Sequence, residues 1–425
     1  MAAAVLHETP SANPATPDDP PFGGVDLIHF AATKGTPFCI YDGPAQVVHL
    51  RELRASLGGN LLLSGRVGSH PNLHVLRWLQ PHQDGFVVTS GIELRLAIAA
   101  GEQPQRINYL GPGKGDAELE LAIGSRLGSI SVESEGELER MDQVARRLGR
   151  KAPVALRINL RPATTKSEPP SAAPVACFGF AAEQGEELVA AVAQKPGCRY
   201  EGLYFNLDVA TLPADAVRSC FSRALEIVGT MAYNIGQWPG RILVAGGEGG
   251  MMPPYRTRGF GDCVQLYRDL SVLWADFKAK HTPPEVTVIL ALDVPSGSNT
   301  ALHVARVVAT HTFGDIACCI LDGGVPSPLL GGDVVNLSSP DGNPRVPVQL
   351  TGLLCSRHPD DRRDTIPMPQ PRIGDYVGIY ENGGHLAGPG GLFSRLTQAE
   401  YLVTGQDQVK TIRHVMDPSR IGIPP

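Results

Sequence analysis

Residues 129–160, SISVESEGELERMDQVARRLGRKAPVALRINL, carry one full repeat of the pattern on which the fold depends. Two short β-prone apolar runs, 129–134 and 153–160, flank residues 136–148, where apolar side chains recur at helical spacing. Working outward, strand candidates at 61–66, 85–90 and 106–111 come before this unit, and others at 200–207, 241–246 and 286–292 follow it. Between them lie helix candidates at 71–80, 92–100, 116–123, 182–193, 213–235 and 259–280. About eight strand-helix units over roughly 240 residues fit a closed (β/α)8 barrel better than a doubly wound sheet of five to seven strands. Reactive groups are then expected where the strands end and the following loops converge.

After residue 293 the rhythm changes. Strand-like runs at 303–310, 316–322, 346–354, 374–380, 399–404 and 408–414 alternate with Gly, Pro and Asp turns, and no helix of useful length intervenes. The predicted fold is therefore α/β: a (β/α)8 TIM-like barrel followed by a mostly β C-terminal domain. The expected division is a disordered tail at 1–21, an N-terminal strand at 22–43 packing with the β-domain, the barrel at 44–292 and the β-domain at 293–425. The strand within 22–43 is Phe38-Cys39-Ile40-Tyr41-Asp42, ended by Gly43-Pro44. Residues 161–175, rich in Pro, Ser and Ala, read as a surface loop inserted in the barrel.

Composition narrows the function classes. A net charge of -6 argues against a nucleic-acid partner. The eight cysteines form no C-x-x-C pair and have no His at ligand spacing, so no metal site is expected and most of them read as small buried hydrophobes. The N-terminus lacks the basic start and apolar stretch of a signal peptide, and no apolar run approaches the ~20 residues of a membrane span. A cytoplasmic location is the expectation, with no membrane partner.

Short motifs in a fixed order add a resemblance. They begin with Thr36-Pro37-Phe38-Cys39-Ile40-Tyr41-Asp42, Ser90-Gly91-Ile92-Glu93-Leu94, Gly111-Pro112-Gly113-Lys114, Val132-Glu133-Ser134 with Glu137-Leu138, and Leu156-Arg157-Ile158-Asn159. Phe178-Gly179-Phe180, Leu321-Asp322-Gly323-Gly324, Gly352-Leu353-Leu354-Cys355 and Gly374-Asp375-Tyr376 continue the series. The chain resembles the ornithine, diaminopimelate and arginine decarboxylases, the fold-type III pyridoxal-phosphate enzymes with an alanine-racemase-like barrel. The resemblance implies that barrel with its β-domain, pyridoxal phosphate as cofactor, and a dimer whose active site draws residues from two subunits.

Decarboxylation at an amino-acid α-carbon leaves a carbanion, and pyridoxal phosphate, held as a Schiff base by a lysine, is the electron sink. In the family that lysine ends the first barrel strand. Counting back from Val75-Leu76 puts Gly68 in its place, and allowing a two-residue insertion puts Arg66 there. Neither forms a Schiff base, since a guanidinium stays protonated. Lys114 is the only lysine between residues 35 and 150, and it fits the family's own gp-x-K loop.

Other contacts differ too. In the segment Gly202-Leu203-Tyr204-Phe205-Asn206-Leu207-Asp208-Val209, Asn206 stands where the family has a ring-stacking His, and Asp208 where it has part of a phosphate-binding Gly-Ser. A carboxylate at 208 repels a phosphate dianion. Asp293 is the candidate for the acid that meets the pyridine nitrogen, and Gly246, Gly247 and Gly249 could offer backbone N–H groups to an anion. Cys355 is a candidate proton donor. Glu93 and Arg157 are expected inside the barrel mouth, with a simple pairing of the two as the alternative.

The expected function is that of a diverged decarboxylase homologue without ordinary pyridoxal catalysis: a pseudoenzyme, or a subunit paired in a homodimer or with an active relative. One alternative is an enzyme with altered, cofactor-independent chemistry on an amino-acid-derived substrate, using Arg66, His70, Glu93, Arg157, Asn206, Asp208 and Cys355. The other is a pyridoxal enzyme with a relocated anchor.

Overall fold

The computed structural model describes residues 21–58, 61–160, 178–207, 214–246, 260–292, 300–314, 316–323, 334–339, 343–352, 365–381, 398–406 and 408–415. Helix α1 (Leu27–Lys34) leads into β1 (Phe38–Asp42), and α2 (Gly43–Ser56) follows at once. The repeat then runs β2 (Leu61–Arg66), α3 (Leu73–Leu79), β3 (Gly85–Val88), α4 (Gly91–Ala99), β4 (Ile107–Tyr109), α5 (Asp116–Ser125), β5 (Ser129–Val132), α6 (Glu135–Arg147) and β6 (Ala152–Asn159). A two-residue strand β7 (Phe180–Ala181), α7 (Gly185–Ala193), β8 (Cys198–Asn206), α8 (Ala214–Ile235), β9 (Arg241–Gly246), α9 (Phe260–His281) and β10 (Thr287–Leu292) complete it.

Neither α1 nor α2 was expected from apolar spacing, yet both carry start signals. Asp26 caps α1 and Gly35 ends it, while Asp42 caps α2 by accepting from the Ala45 N–H, with Pro44 in the first turn. The Gly43-Pro44 pair ends the strand and starts a helix in the same step.

Eight strands close into a parallel barrel in the order β2-β3-β4-β5-β6-β8-β9-β10, and β10 pairs back to β2 through Val288↔Leu61. The strands are buried on both faces, since helices cover the outside and side chains fill the inside, which explains their unbroken apolar character. Strand β6 shows it, with every residue from Ala152 to Ile158 buried. Leu62, Val87, Ala155, Tyr204, Leu243 and Ile289 meet in one interior cluster. Because side chains alternate along a strand, that cluster fixes which others point inward: Ser64 and Arg66 on β2, Arg157 on β6 and Asn206 on β8. The helices pack on the opposite face through stripes such as Leu138, Met141, Val144 and Ala145 of α6.

The second sheet comprises β11 (Ala301–Phe313), β12 (Ile316–Leu321), β13 (Val334–Asn336), β14 (Arg345–Thr351), β15 (Ile366–Pro369), β16 (Tyr376–Glu381), β17 (Ala399–Gly405), β18 (Gln408–Arg413) and β1. Its order is β15-β14-β12-β11-β1-β17-β18, with β16 on β11 and β13 on β16. Strand β1 lies antiparallel to β11 and parallel to β17, with all five of its residues buried. Phe38 and Ile40 join a cluster with Leu302, Val304 and Val403, while Cys39 and Tyr41 join the large core that includes the barrel helices. The two clusters mark the sheet's two faces. The sheet is thereby packed against the barrel.

Candidate functional site

Three inward side chains, Glu133, Arg157 and Tyr204, meet where β5, β6 and β8 end, and Asn206 follows two residues further along β8. The β5–β6 register, Val132↔Leu156, puts Glu133 level with Arg157, and β6–β8 pairing puts Arg157 level with Tyr204. An Arg157 Nη1 N–H donates to Glu133 Oε2 at 2.7 Å, and both side chains are nearly fully buried. The guanidinium lies 5.2 Å from the ring centroids of both Phe178 and Tyr204, so aromatic faces hold it in place. Gly179 adopts φ +79°, and a Cβ there would stand 2.8 Å from Arg157 Cγ and from Arg157 O. Glycine is required at 179 for the chain to pass this close to the arginine.

Arg157 occupies only one oxygen of Glu133. Oε1 is buried and has no hydrogen-bond partner among the described residues, and neither does Asn206 Oδ1, two residues beyond Tyr204 on the same face. Burial pushes the Glu133 carboxyl above the usual carboxylate range, and Arg157 offsets only part of that.

At the end of β2, Arg66 is 9% exposed and its Nη1 donates to Gly246 O at 3.3 Å, across the barrel top to the end of β9. Two residues on, Gly68 lies in the turn Val67–Ser69, where a Cβ would come 3.2 Å from Glu93 Oε1. The Glu93 carboxylate accepts from the Thr89 N–H and Thr89 Oγ1, each at 2.9 Å, while Ser90 Oγ accepts from the Glu93 N–H. Glu93 therefore sits at the strand ends as the acid of a helix cap. It does not pair with Arg157. Arg157 takes Glu133 instead, because strand register rather than sequence order decides which acid lies beside it.

His70 is buried at the seam between barrel and sheet, edge-on to Tyr41 with centroids 5.9 Å apart. Beside it, Asn72 Nδ2 donates to Glu400 Oε2 at 2.8 Å, tying the loop after β2 to the β17 strand. His70 is thus in a different place from the Glu133, Arg157, Tyr204 and Asn206 cluster. Asp208, Gly247, Gly249, Asp293 and Cys355 lie outside the described residues.

Lys114, the one lysine of the early barrel, is 2% exposed. Its Nζ donates to Gly111 O at 2.5 Å, Ser131 O at 2.8 Å, Ser131 Oγ at 3.2 Å and Glu137 Oε1 at 3.2 Å. An ammonium has three protons, so four acceptors saturate it. Burial pulls its amine below the usual lysine range against the opposing pull of Glu137.

Sequence reasoning quoted Glu133 in a motif without giving it a role. Its place beside Arg157 follows from the β5–β6 register, which no single stretch of sequence displays.

Comparison with known proteins agrees with this architecture. A family model for the pyridoxal-binding domain of pyridoxal-dependent decarboxylases matches residues 53–256. The diaminopimelate decarboxylase of Vibrio cholerae is 37% identical over 136 residues, 32% of this chain and 33% of that protein. That of Zymomonas mobilis is 30% identical over 214 residues, 48% of this chain and 50% of that protein. These matches span between a third and a half of the relatives' lengths. The solved diaminopimelate decarboxylase of M. jannaschii, in complex with L-lysine, superposes with a TM-score of 0.78 at 18% identity, covering 95% of each chain, and shares the fold. With its closed parallel barrel, its mostly β partner domain and these matches, the chain is similar in fold and in its barrel sequence to the fold-type III pyridoxal-dependent decarboxylases.

Proposed function

We propose that this chain has left Schiff-base chemistry and keeps its barrel mouth as a non-covalent site for a small amino-acid-derived molecule, acting as one subunit of a dimer with itself or with an active relative. One observation carries the reading. Where the first barrel strand ends, the chain offers a guanidinium bonded to Gly246 and a glycine facing Glu93, while the nearby lysine amine is enclosed by acceptors.

Pyridoxal phosphate requires an amine free to condense with its aldehyde, and the described residues do not fit that requirement. Lys114 as a relocated anchor is disfavoured by its own hydrogen bonds, because withdrawing its amine would leave Glu137 buried without its cation.

A second reading is favoured by the Glu133–Arg157 pair: cofactor-independent chemistry at the mouth, with Glu133, whose carboxyl burial pushes upward, moving a proton and Arg66, Arg157, Asn206, Asp208 and Cys355 binding substrate. Both readings predict a colourless protein after incubation with pyridoxal phosphate and dialysis. A yellow imine chromophore bleached by borohydride would refute them together. Deuterium exchange from D2O into the α-carbon of an amino acid, abolished by Glu133→Gln, would favour the second over the first.

A further inference from the structure

Among the described residues, the barrel mouth holds buried acceptors without donors, and these define the ligand it takes. Glu133 sends one oxygen to Arg157 and leaves Oε1 buried and without a partner among the described residues, with its side chain only 5% exposed. Asn206 Oδ1, on β8 two residues beyond the Tyr204 that packs on Arg157, is likewise without a partner among the described residues. A buried carboxylate oxygen without a donor carries an uncompensated desolvation cost, so a ligand that donates to it recovers that loss.

Phosphate brings acceptors and negative charge, which Glu133 opposes. An ammonium brings up to three N–H donors and positive charge, which suit both oxygens. Arg157 cannot fill the second oxygen, since Phe178, Tyr204 and the close passage of Gly179 fix its guanidinium.

The geometry points to Glu133 Oε1 and Asn206 Oδ1 as the recognition site for the primary ammonium group of a small ligand bound without a covalent link. This rests on the reading of the mouth as a non-covalent site. The ammonium is common to amino acids and to diamines, and the choice of probes separates the two.

The test is calorimetric titration of the full chain with L-lysine, with cadaverine, which lacks the carboxylate, with hexanoate, which lacks the amine, and with inorganic phosphate. Lysine and cadaverine are expected to bind and the other two to fail. Binding of lysine alone would support the site and assign it to amino acids. Glu133→Gln is expected to weaken binding about ten- to hundredfold, the effect of a charged hydrogen bond. Asn206→Leu, which leaves the Arg157 pair intact, should weaken it too, and decides the matter if the first variant fails to fold.

Binding of hexanoate or phosphate in preference to the amines, no binding of either amine, or unchanged binding by folded Glu133→Gln would overturn the assignment. A yellow imine in the pyridoxal experiment would instead sink the reading beneath it. A colourless protein that ignores amines removes this inference alone.

Discussion

Glu133 and Glu137 stand four residues apart in one motif, and both carboxylates are buried, yet their surroundings differ. Glu137 takes the Lys114 ammonium on one oxygen and the Glu133 backbone N–H on the other. Its neighbour takes Arg157 on one oxygen and nothing among the described residues on the other. A saturated acid holds loops in place, whereas an acid with one oxygen left over has capacity for a ligand. Burial alone does not separate structural from binding roles; the count of donors does.

The largest expected effect tests the saturated side. Lys114→Met leaves Glu137 buried without its cation and should cost about 3–5 kcal/mol in urea unfolding, with Glu137→Leu added in the same chain restoring most of it. Arg157→Met should cost less, about 2–3 kcal/mol, because burial already pushes the Glu133 carboxyl upward and it can take up a proton once its cation is gone. Equal losses at the two sites would erase the contrast.

Smaller still are the helix caps. Ser134→Ala and Ser90→Ala each remove an oxygen that accepts from an N3 backbone N–H and should each cost about 1 kcal/mol.

The finest test is pH. The folded-state pKa of Glu133 is raised, so the native chain holds a proton that the unfolded chain has released, and stability falls as pH climbs from the ordinary glutamate value through the raised one. Glu133→Gln should flatten that decline, while a decline that persists unchanged would place its origin elsewhere.

The barrel was legible because strands buried on both faces leave short apolar runs, and the intervening helices leave a different period. Strand ends fell within a few residues of expectation. What escaped was local punctuation: α2 hid behind Gly43-Pro44, read as a stop, although Asp42 signalled a helix start. Arg66, Arg157 and Asn206 could be named from their places at strand ends. Glu133 could not be given its role, because its pairing depends on register between β5 and β6, which no local pattern encodes. For Glu93 the cap signature, Ser90 followed three residues later by Glu, was present in the sequence and accounts for its hydrogen bonds.

Strand β1 also sets a timetable. It is made before any part of the barrel, but its partners are residues 301–304 and 399–403, so it waits through most of synthesis with five side chains destined for burial. The barrel strands, ending at Leu292, can close while β1 is still alone. A nascent chain stopped after β10 would thus present FCIYD as an open strand edge, the kind of surface that recruits other chains, and only the arrival of β17 removes that hazard.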